Sequence, residues 1–143
     1  MSASARVAEQ LRQYLDSGDI AVALIRDDTI AIACPSGDSD RLIEVRLRGA
    51  ADLEVAFIVP TKPGSPFEQV FSGPTDEAEM VLREALSFVC DLIADRIVLA
   101  WDSRPFRGGR SFLMASDLNP DAFRHLAWIV SWRGTRDWNA PTV

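Results

Sequence analysis

Residues 42–59 read LIEVRLRGAADLEVAFIV, and this stretch decides the class of fold. In residues 42–48 apolar and charged side chains alternate, and the apolar half of the pattern resumes at residues 53–59. The segment between them contains Gly49 and Asp52, two residue types that are common in turns. Because successive side chains of a strand point to opposite faces, the pattern predicts an antiparallel hairpin with one apolar and one solvated face.

Four more short apolar runs predict further strands. They cover residues 20–25, 29–34, 97–101 and 111–115. The first two are separated by only a short polar turn, and β-branched residues on either side of such a turn are typical of a hairpin. Together with residues 42–59, the sequence therefore predicts about six antiparallel strands.

Apolar residues at helical spacing predict three helices. The first covers about Ala3 to Asp16, and the second runs from Pro74 to about Ala94. The third is predicted to begin after Asn119, a favourable N-cap residue, with Pro120 in the first turn, and to end at Gly134.

The predicted element order is α-β-β-β-β-α-β-β-α, which corresponds to an α+β fold with one antiparallel sheet. The length of 143 residues suits a single domain over residues 1–143. Within it we expect an irregular loop at residues 60–74, which holds several prolines and glycines, and a C-terminal tail at residues 134–143.

Charge is unevenly distributed along the chain. The formal net charge is −6, with 8 basic and 17 acidic residues up to Asp95 (net −9) and 7 basic and 4 acidic residues from Arg96 onwards (net +3). A net acidic chain argues against nucleic acid as a partner. The acidic part also allows a hypothesis in which an immunity or regulatory protein masks a basic partner.

Neither a signal peptide nor a membrane span is visible in the sequence. No apolar run approaches the roughly 18 residues that a spanning helix requires. The two cysteines, Cys34 and Cys90, have no metal-binding or redox spacing. We therefore expect a cytoplasmic protein, of bacterial origin, that has no membrane partner and no cofactor.

The segment Ser103–Ser111, SRPFRGGRS, combines three arginines with a turn-forming proline and two glycines. It lacks the residues of a phosphate-binding loop, and a strand follows it instead of the helix that such a loop requires. A turn between two strands is one interpretation. The other is an anion-binding site formed by Arg104, Arg107 and Arg110, whose guanidinium groups attract carboxylates or phosphates.

The C-terminal segment is rich in tryptophan and arginine. Both residue types are enriched at the centres of protein–protein interfaces. If residues 120–133 form a helix, two of the tryptophans share one helical face, and an alternative is that they pack on the sheet with an arginine stacked on them. The predicted partner-binding residues are Trp128, Trp132, Arg133, Arg136 and Trp138.

Catalytic patterns are weak in this sequence. His125 is the single histidine, so a metal site built from several histidines is excluded. No nucleophile motif is present, and the acidic pairs are typical of solvated turns. The sequence therefore predicts no catalytic residues and no metal site.

The order of elements resembles the α+β fold of type III secretion chaperones and related bacterial sensory-regulator domains. The resemblance covers roughly Ala3 to Trp132 and lies in topology, because no sequence motif is shared. It implies a protein without an active site that forms a homodimer and binds protein segments.

These observations favour a non-enzymatic protein-interaction domain, chaperone-like or a regulatory adaptor, that binds a protein or peptide partner. The alternative is a small-molecule-binding domain or enzyme with an anionic ligand at the arginine-rich segment. A third hypothesis is the immunity or regulatory protein described above.

Overall fold

The computed structural model describes residues 3–14, 21–33, 41–62, 64–104 and 109–141. The chain divides into two compact units, Met1–Cys90 and Asp91–Val143. Each unit contains one antiparallel sheet, and the α+β class is confirmed. A single domain stays a prediction.

The first unit contains a five-stranded sheet in the order β1-β2-β3-β4-β5, so that every strand pairs with its sequence neighbours. A 3-10 turn at Thr75–Glu77 precedes the long helix, which runs on into the second unit. The elements are α1 Ala3–Tyr14, β1 Ala21–Arg26, β2 Thr29–Ala33, β3 Leu42–Gly49, β4 Asp52–Ile58, β5 Phe67–Ser72 and α2 Ala78–Ile93.

The register of β3 and β4 produces the alternation that the sequence predicts. Val45 lies opposite Val55, and Arg46 lies opposite Glu54. Residues directly opposite each other in antiparallel strands share a face. One face of the sheet therefore carries fully buried side chains, namely Ile30, Ile32, Ile43, Val45, Val55 and Phe57.

The second unit contains a four-stranded sheet in the order β7-β6-β8-β9. On one face of this sheet lies a buried cluster formed by Val98, Ala100, Ala115, Leu126 and Ile129, and on the other face Leu99 and Val130 are buried as well. The elements are β6 Ile97–Asp102, β7 Gly109–Met114, a 3-10 turn Ala115–Asp117, α3 Pro120–Phe123, β8 Leu126–Val130 and β9 Trp138–Asn139.

All six predicted strands are present, but the prediction of a single sheet is wrong because they divide between two sheets. The prediction of three helices is confirmed. The start of the third is also confirmed, since the side chain of Asn119 accepts a hydrogen bond of 3.0 Å from the backbone N–H of Ala122.

The predicted length of the third helix is wrong. Helix α3 ends at Phe123, and Leu126–Val130 forms strand β8 against β6. Tryptophan, isoleucine and valine fit the pleated surface of a strand well, and pairing with a strand distant in sequence overrides the helical spacing. The predicted tail likewise contains a strand, β9, which pairs with β8.

Strand β5 corrects the prediction of an irregular loop at residues 60–74. Residues 67–72 pair with β4 over the whole length of β5. The described residues of this segment outside β5 have no helix or strand; among them Lys62 donates its backbone N–H to the carbonyl of Val59 at 2.9 Å.

Candidate functional site

Four side chains stand in one line across the second sheet. Trp101 on the inner strand β6 lies opposite Arg110 of β7 on one side and opposite Trp128 of β8 on the other. Trp128 in turn lies opposite Asn139 of β9. Directly opposed residues share a face of the sheet, so these four residues form one row, called the tryptophan row below.

The two tryptophans of the row are stacked and incompletely buried. Their ring centroids lie 6.0 Å apart, with an angle of 23° between the planes. Both side chains are half-buried, and Arg110 is exposed. On the same face of β7, Phe112 is half-buried and Met114 is 42% exposed. The row is therefore an apolar surface with a cation at one end.

The opposite face of the same sheet carries the core cluster around Val98, Ala100 and Ile129. On the row's own face, Leu99 and Val130 beside the tryptophans are buried as well. Trp138 of β9 lies opposite Ile129 and packs against the core cluster. Its ring meets that of Phe123 edge to face, with centroids 4.8 Å apart and planes at 81°. Trp138 and Trp128 thus lie on different faces, because consecutive cross-strand pairs alternate between faces.

Trp132 is placed differently from the prediction. It follows the end of β8 and is 0% exposed. The prediction that Trp128 and Trp132 share one face of a helix is therefore wrong. The guanidinium carbon of Arg133 lies 5.4 Å from the centroid of the Trp132 ring. Its Nε donates a hydrogen bond of 2.9 Å to the carbonyl of Ile93. For Trp132 this arrangement agrees with the alternative of packing with a stacked arginine, whereas Trp128 is half-buried in the tryptophan row.

Asp95 holds the segment after β8 in place, a role that the sequence analysis missed. Its buried carboxylate accepts hydrogen bonds from the backbone N–H of Arg133 at 2.9 Å and of Thr135 at 3.2 Å, and from the Thr135 hydroxyl. Its φ of 56° is in the left-handed region, where aspartate is enriched among non-glycine residues. Nearby, the backbone N–H of Arg136 donates to the hydroxyl of Ser131 at 3.0 Å.

The five residues predicted to bind a partner therefore do not form one cluster. Trp128 belongs to the tryptophan row, Trp138 to the opposite face, and Trp132 to the interior. Arg136 is exposed beside the segment that Asp95 holds. A partner-binding role for these residues stays a prediction. Trp101 was missed because nothing in IVLAW distinguishes an interfacial tryptophan from a core one.

The arginines of the segment Ser103–Ser111 also have different surroundings. The guanidinium of Arg104 binds Asp102, with Nη2–Oδ2 at 2.7 Å and Nε–Oδ1 at 3.1 Å. The side-chain and backbone hydrogen bonds from Arg104 lower the pKa of Asp102 to about 2. Arg110 lies in the tryptophan row, and Arg107 lies outside the described residues. A shared anion site of the three arginines stays a prediction.

The charged face of the first sheet contains a compact ion network. Arg46 is at its centre, 2.8 Å from Glu54, 3.0 Å from Glu44 and 3.5 Å from Glu68. Arg48 also pairs with Glu54, which is only 2% exposed. Three carboxylates and two guanidinium groups thus largely neutralise each other within the sheet.

The protonation equilibrium of Arg46 reflects this network. Burial acts to lower the pKa of Arg46, but its hydrogen bonds to Glu44 and Glu54 and their negative charges outweigh that effect. The pKa of Arg46 is therefore raised above its ordinary value. The same interactions pair the buried side chain of Glu54 with two guanidinium groups, which is the condition for a charge to be tolerated in an interior.

A groove of about 560 Å³ lies beside α1 and α2 in the first unit. Its lining mixes amides, opposite charges and leucines, so it indicates no particular ligand chemistry. The lining residues are Gln10, Gln13, Glu79, Leu82, Arg83 and Leu86.

In comparisons with known proteins, no family model, no curated protein and no solved structure matches this chain. The topological resemblance to secretion chaperones therefore gains no support from them. Among the described residues, no group of three or more His, Cys, Asp or Glu side chains is placed to hold a metal ion. Over the same residues, no helix has both the length and the apolar character needed to cross a membrane.

Proposed function

We propose that the protein is a non-enzymatic interaction domain that binds a protein or peptide partner through the tryptophan row. The observation that carries this proposal is the stacked pair Trp101 and Trp128, half-buried on a sheet face and bordered by Arg110. Tryptophan and arginine are the residues most enriched among those that dominate binding energy at interfaces.

The row has apolar area available for a partner because Trp101, Trp128 and the neighbouring Phe112 are only half-buried. Farther along the same face Leu99 and Val130 are buried, so this area lies at the end of the face that carries the tryptophans. Packing a partner against both indoles removes that area from water, at about 25 cal/mol per Å². Arg110 at the end of the row suits a carboxylate of the partner. The partner chemistry that fits is therefore an apolar segment with an acidic residue beside it.

The proposal is tested by comparing Trp128→Ala with Trp138→Ala. Each change removes one half-buried tryptophan from the same sheet, but from opposite faces. Partners captured by the immobilised wild-type chain are quantified by mass spectrometry, and the affinity of the recovered partner is then measured by titration. We expect Trp128→Ala to weaken binding at least about tenfold, as hot-spot truncations do. Trp138→Ala should have a smaller effect.

Thermal unfolding and circular dichroism of both variants establish that they are folded. Equal affinity of wild type and Trp128→Ala for the same partner contradicts the proposal. So does an equal loss in both variants, because a general loss of structure then explains it.

An anionic small-molecule ligand is the alternative that the sequence analysis left open. Arg104 is already bound to Asp102, which leaves less positive charge for such a ligand. A thermal-shift screen with phosphorylated and carboxylated metabolites, repeated on Arg110→Ala, separates the two functions. A shift that is lost in this variant favours the ligand over the protein partner. A cytoplasmic location and a homodimeric state stay predictions.

A further inference from the structure

Strand β5 forms an open edge of the five-stranded sheet. Among the described strands it pairs only with β4. Its six residues, Phe67–Ser72, contain no proline and no lysine, the residues that commonly protect an edge from pairing with another chain. Val70 in the middle of the strand is 55% exposed. The edge is therefore accessible, and Glu68 is its only charged residue.

The hydrogen-bond pattern shows which backbone groups face this edge. Gly73 donates its N–H to the carbonyl of Ala51 at 3.0 Å, and these residues are opposite each other if the β4–β5 register is continued. Hydrogen-bonded and non-hydrogen-bonded pairs alternate along an antiparallel ladder. The backbone groups of Phe71 and Gln69 therefore point towards β4, and those of Glu68, Val70 and Ser72 point outwards.

The bond between Leu47 and Asp28 supports the same assignment. Leu47 donates its N–H to the carbonyl of Asp28 at 2.8 Å, so the backbone N–H and carbonyl of Leu47 point towards β2. Those of its neighbour Arg46 therefore point towards β4. Glu54 is opposite Arg46, so its backbone N–H and carbonyl point towards β3 and not towards β5. Val70, which is opposite Glu54 on the other side, accordingly has its N–H and carbonyl on the open edge.

We infer that β5 is the homodimer interface of this protein, where it pairs antiparallel with β5 of a second copy around a two-fold axis at Val70. In this register Val70 of one copy forms a hydrogen-bonded pair with Val70 of the other. Glu68 of each copy forms the next such pair with Ser72 of the other. The two five-stranded sheets then join into one continuous sheet.

The side chains of β5 favour a second copy of the chain as the occupant. The only charged residue of the strand, Glu68, meets a serine, so no like charges are opposed. The exposed Val70 meets a second valine, and cross-strand pairs of β-branched residues stabilise sheets. Phe71 meets Gln69 of the other copy on the opposite face. The strand is therefore complementary to itself in charge and in hydrogen bonding.

The expected dimer is weak. A single strand pair buries less than the roughly 1,600 Å² of a standard stable interface. We therefore expect dissociation at micromolar concentrations, where a tenfold change in the dissociation constant is readily measured. This inference concerns the first unit and does not depend on the proposed function of the tryptophan row.

The test compares Val70→Lys, Gln69→Lys and Val70→Glu by sedimentation equilibrium over about 1–100 µM protein. Both lysine variants add the same charge to exposed neighbouring positions of β5. Only Val70→Lys places two like charges opposite each other at the axis, so we expect it to raise the dissociation constant at least about tenfold relative to Gln69→Lys. An equimolar mixture of Val70→Lys and Val70→Glu opposes unlike charges and should dimerise again.

Thermal unfolding of each variant alone shows that the monomers are folded, and the mixture provides a second measurement if one variant is destabilised. A wild-type chain that stays monomeric over this concentration range overturns the inference. Equal dimerisation of the two lysine variants, or a mixture that stays monomeric, overturns it as well.

Discussion

The two sheets use the same alternation of side chains, but their partly accessible faces differ in chemistry. In the first sheet that face carries the ion network around Arg46, in which the charged groups bind each other. In the second sheet that face carries the stacked pair Trp101 and Trp128, beside the buried Leu99 and Val130. Both faces are partly accessible, but only the second offers aromatic surface.

This difference indicates which face would give a partner the more favourable binding free energy. A partner docking on the first face must compete with short ion pairs that already satisfy the arginines, and desolvating paired charges is costly. A partner docking on the tryptophan row removes apolar area from water and gains the contacts of two indoles. For that reason the proposed binding surface lies on the second sheet.

The largest expected effect sharpens the contrast between tryptophans of the second unit. Trp132→Ala removes a side chain that is 0% exposed, and we expect it to lower the free energy of unfolding by about 3–5 kcal/mol. Trp128→Ala removes a half-buried one and should cost about 1–2 kcal/mol, mainly the aromatic pair and part of its burial. Urea denaturation of both variants measures the two values. Equal costs would mean that Trp128 is as much a core residue as Trp132.

The second-largest expected effect on the free energy of unfolding comes from breaking the ion network of the first sheet. Arg46→Met leaves the buried Glu54 with Arg48 as its remaining arginine, and we expect a loss of about 3 kcal/mol in the free energy of unfolding. The double variant Arg46→Met/Glu54→Leu removes the buried charge together with its main partner.

The double variant is the control for this prediction. Replacing both members of a buried pair by apolar residues is often neutral, so its stability should recover towards the wild-type value in the same urea titration. If Arg46→Met alone is neutral, the carboxylate of Glu54 does not need Arg46, and the network contributes little to the first sheet.

The smallest expected effect concerns Asp102 beside the tryptophan row. Because Arg104 lowers the pKa of Asp102 to about 2, the ion pair contributes its full stability above the ordinary carboxyl pKa of 3.8. That contribution is lost as the pH falls through about 2. Melting temperatures of wild type and Asp102→Asn should therefore differ slightly at neutral pH and converge in this acidic range. A difference that is constant with pH would show that the ion pair contributes nothing measurable.

Local patterns predicted much of the fold. The β3–β4 hairpin followed from strict alternation, and the start of α3 followed from Asn119 and Pro120, because these features act over a few residues. Strand β8 could not be predicted in the same way. Its apolar residues fit a helical stripe as well as a strand, and only pairing with β6 distinguishes the two.

The candidate site was predictable only in part. Sequence composition singled out Trp128 and Arg110 in two separate segments, but it missed Trp101, which lies between them on β6. Their alignment depends on the registers of two strand pairs. Register is a property of paired strands and not of either strand alone, so composition does not reveal it.

By itself, the sequence determined the strands and helices whose signals are local, and the acidic charge of the first part of the chain. Only the tertiary structure decided that the strands form two sheets, that Trp132 is interior, and that Trp101, Trp128 and Arg110 share one row. The physical reason is that burial and cross-strand pairing join residues distant in the chain. The free energy of those contacts exceeds the small differences in local conformational preference.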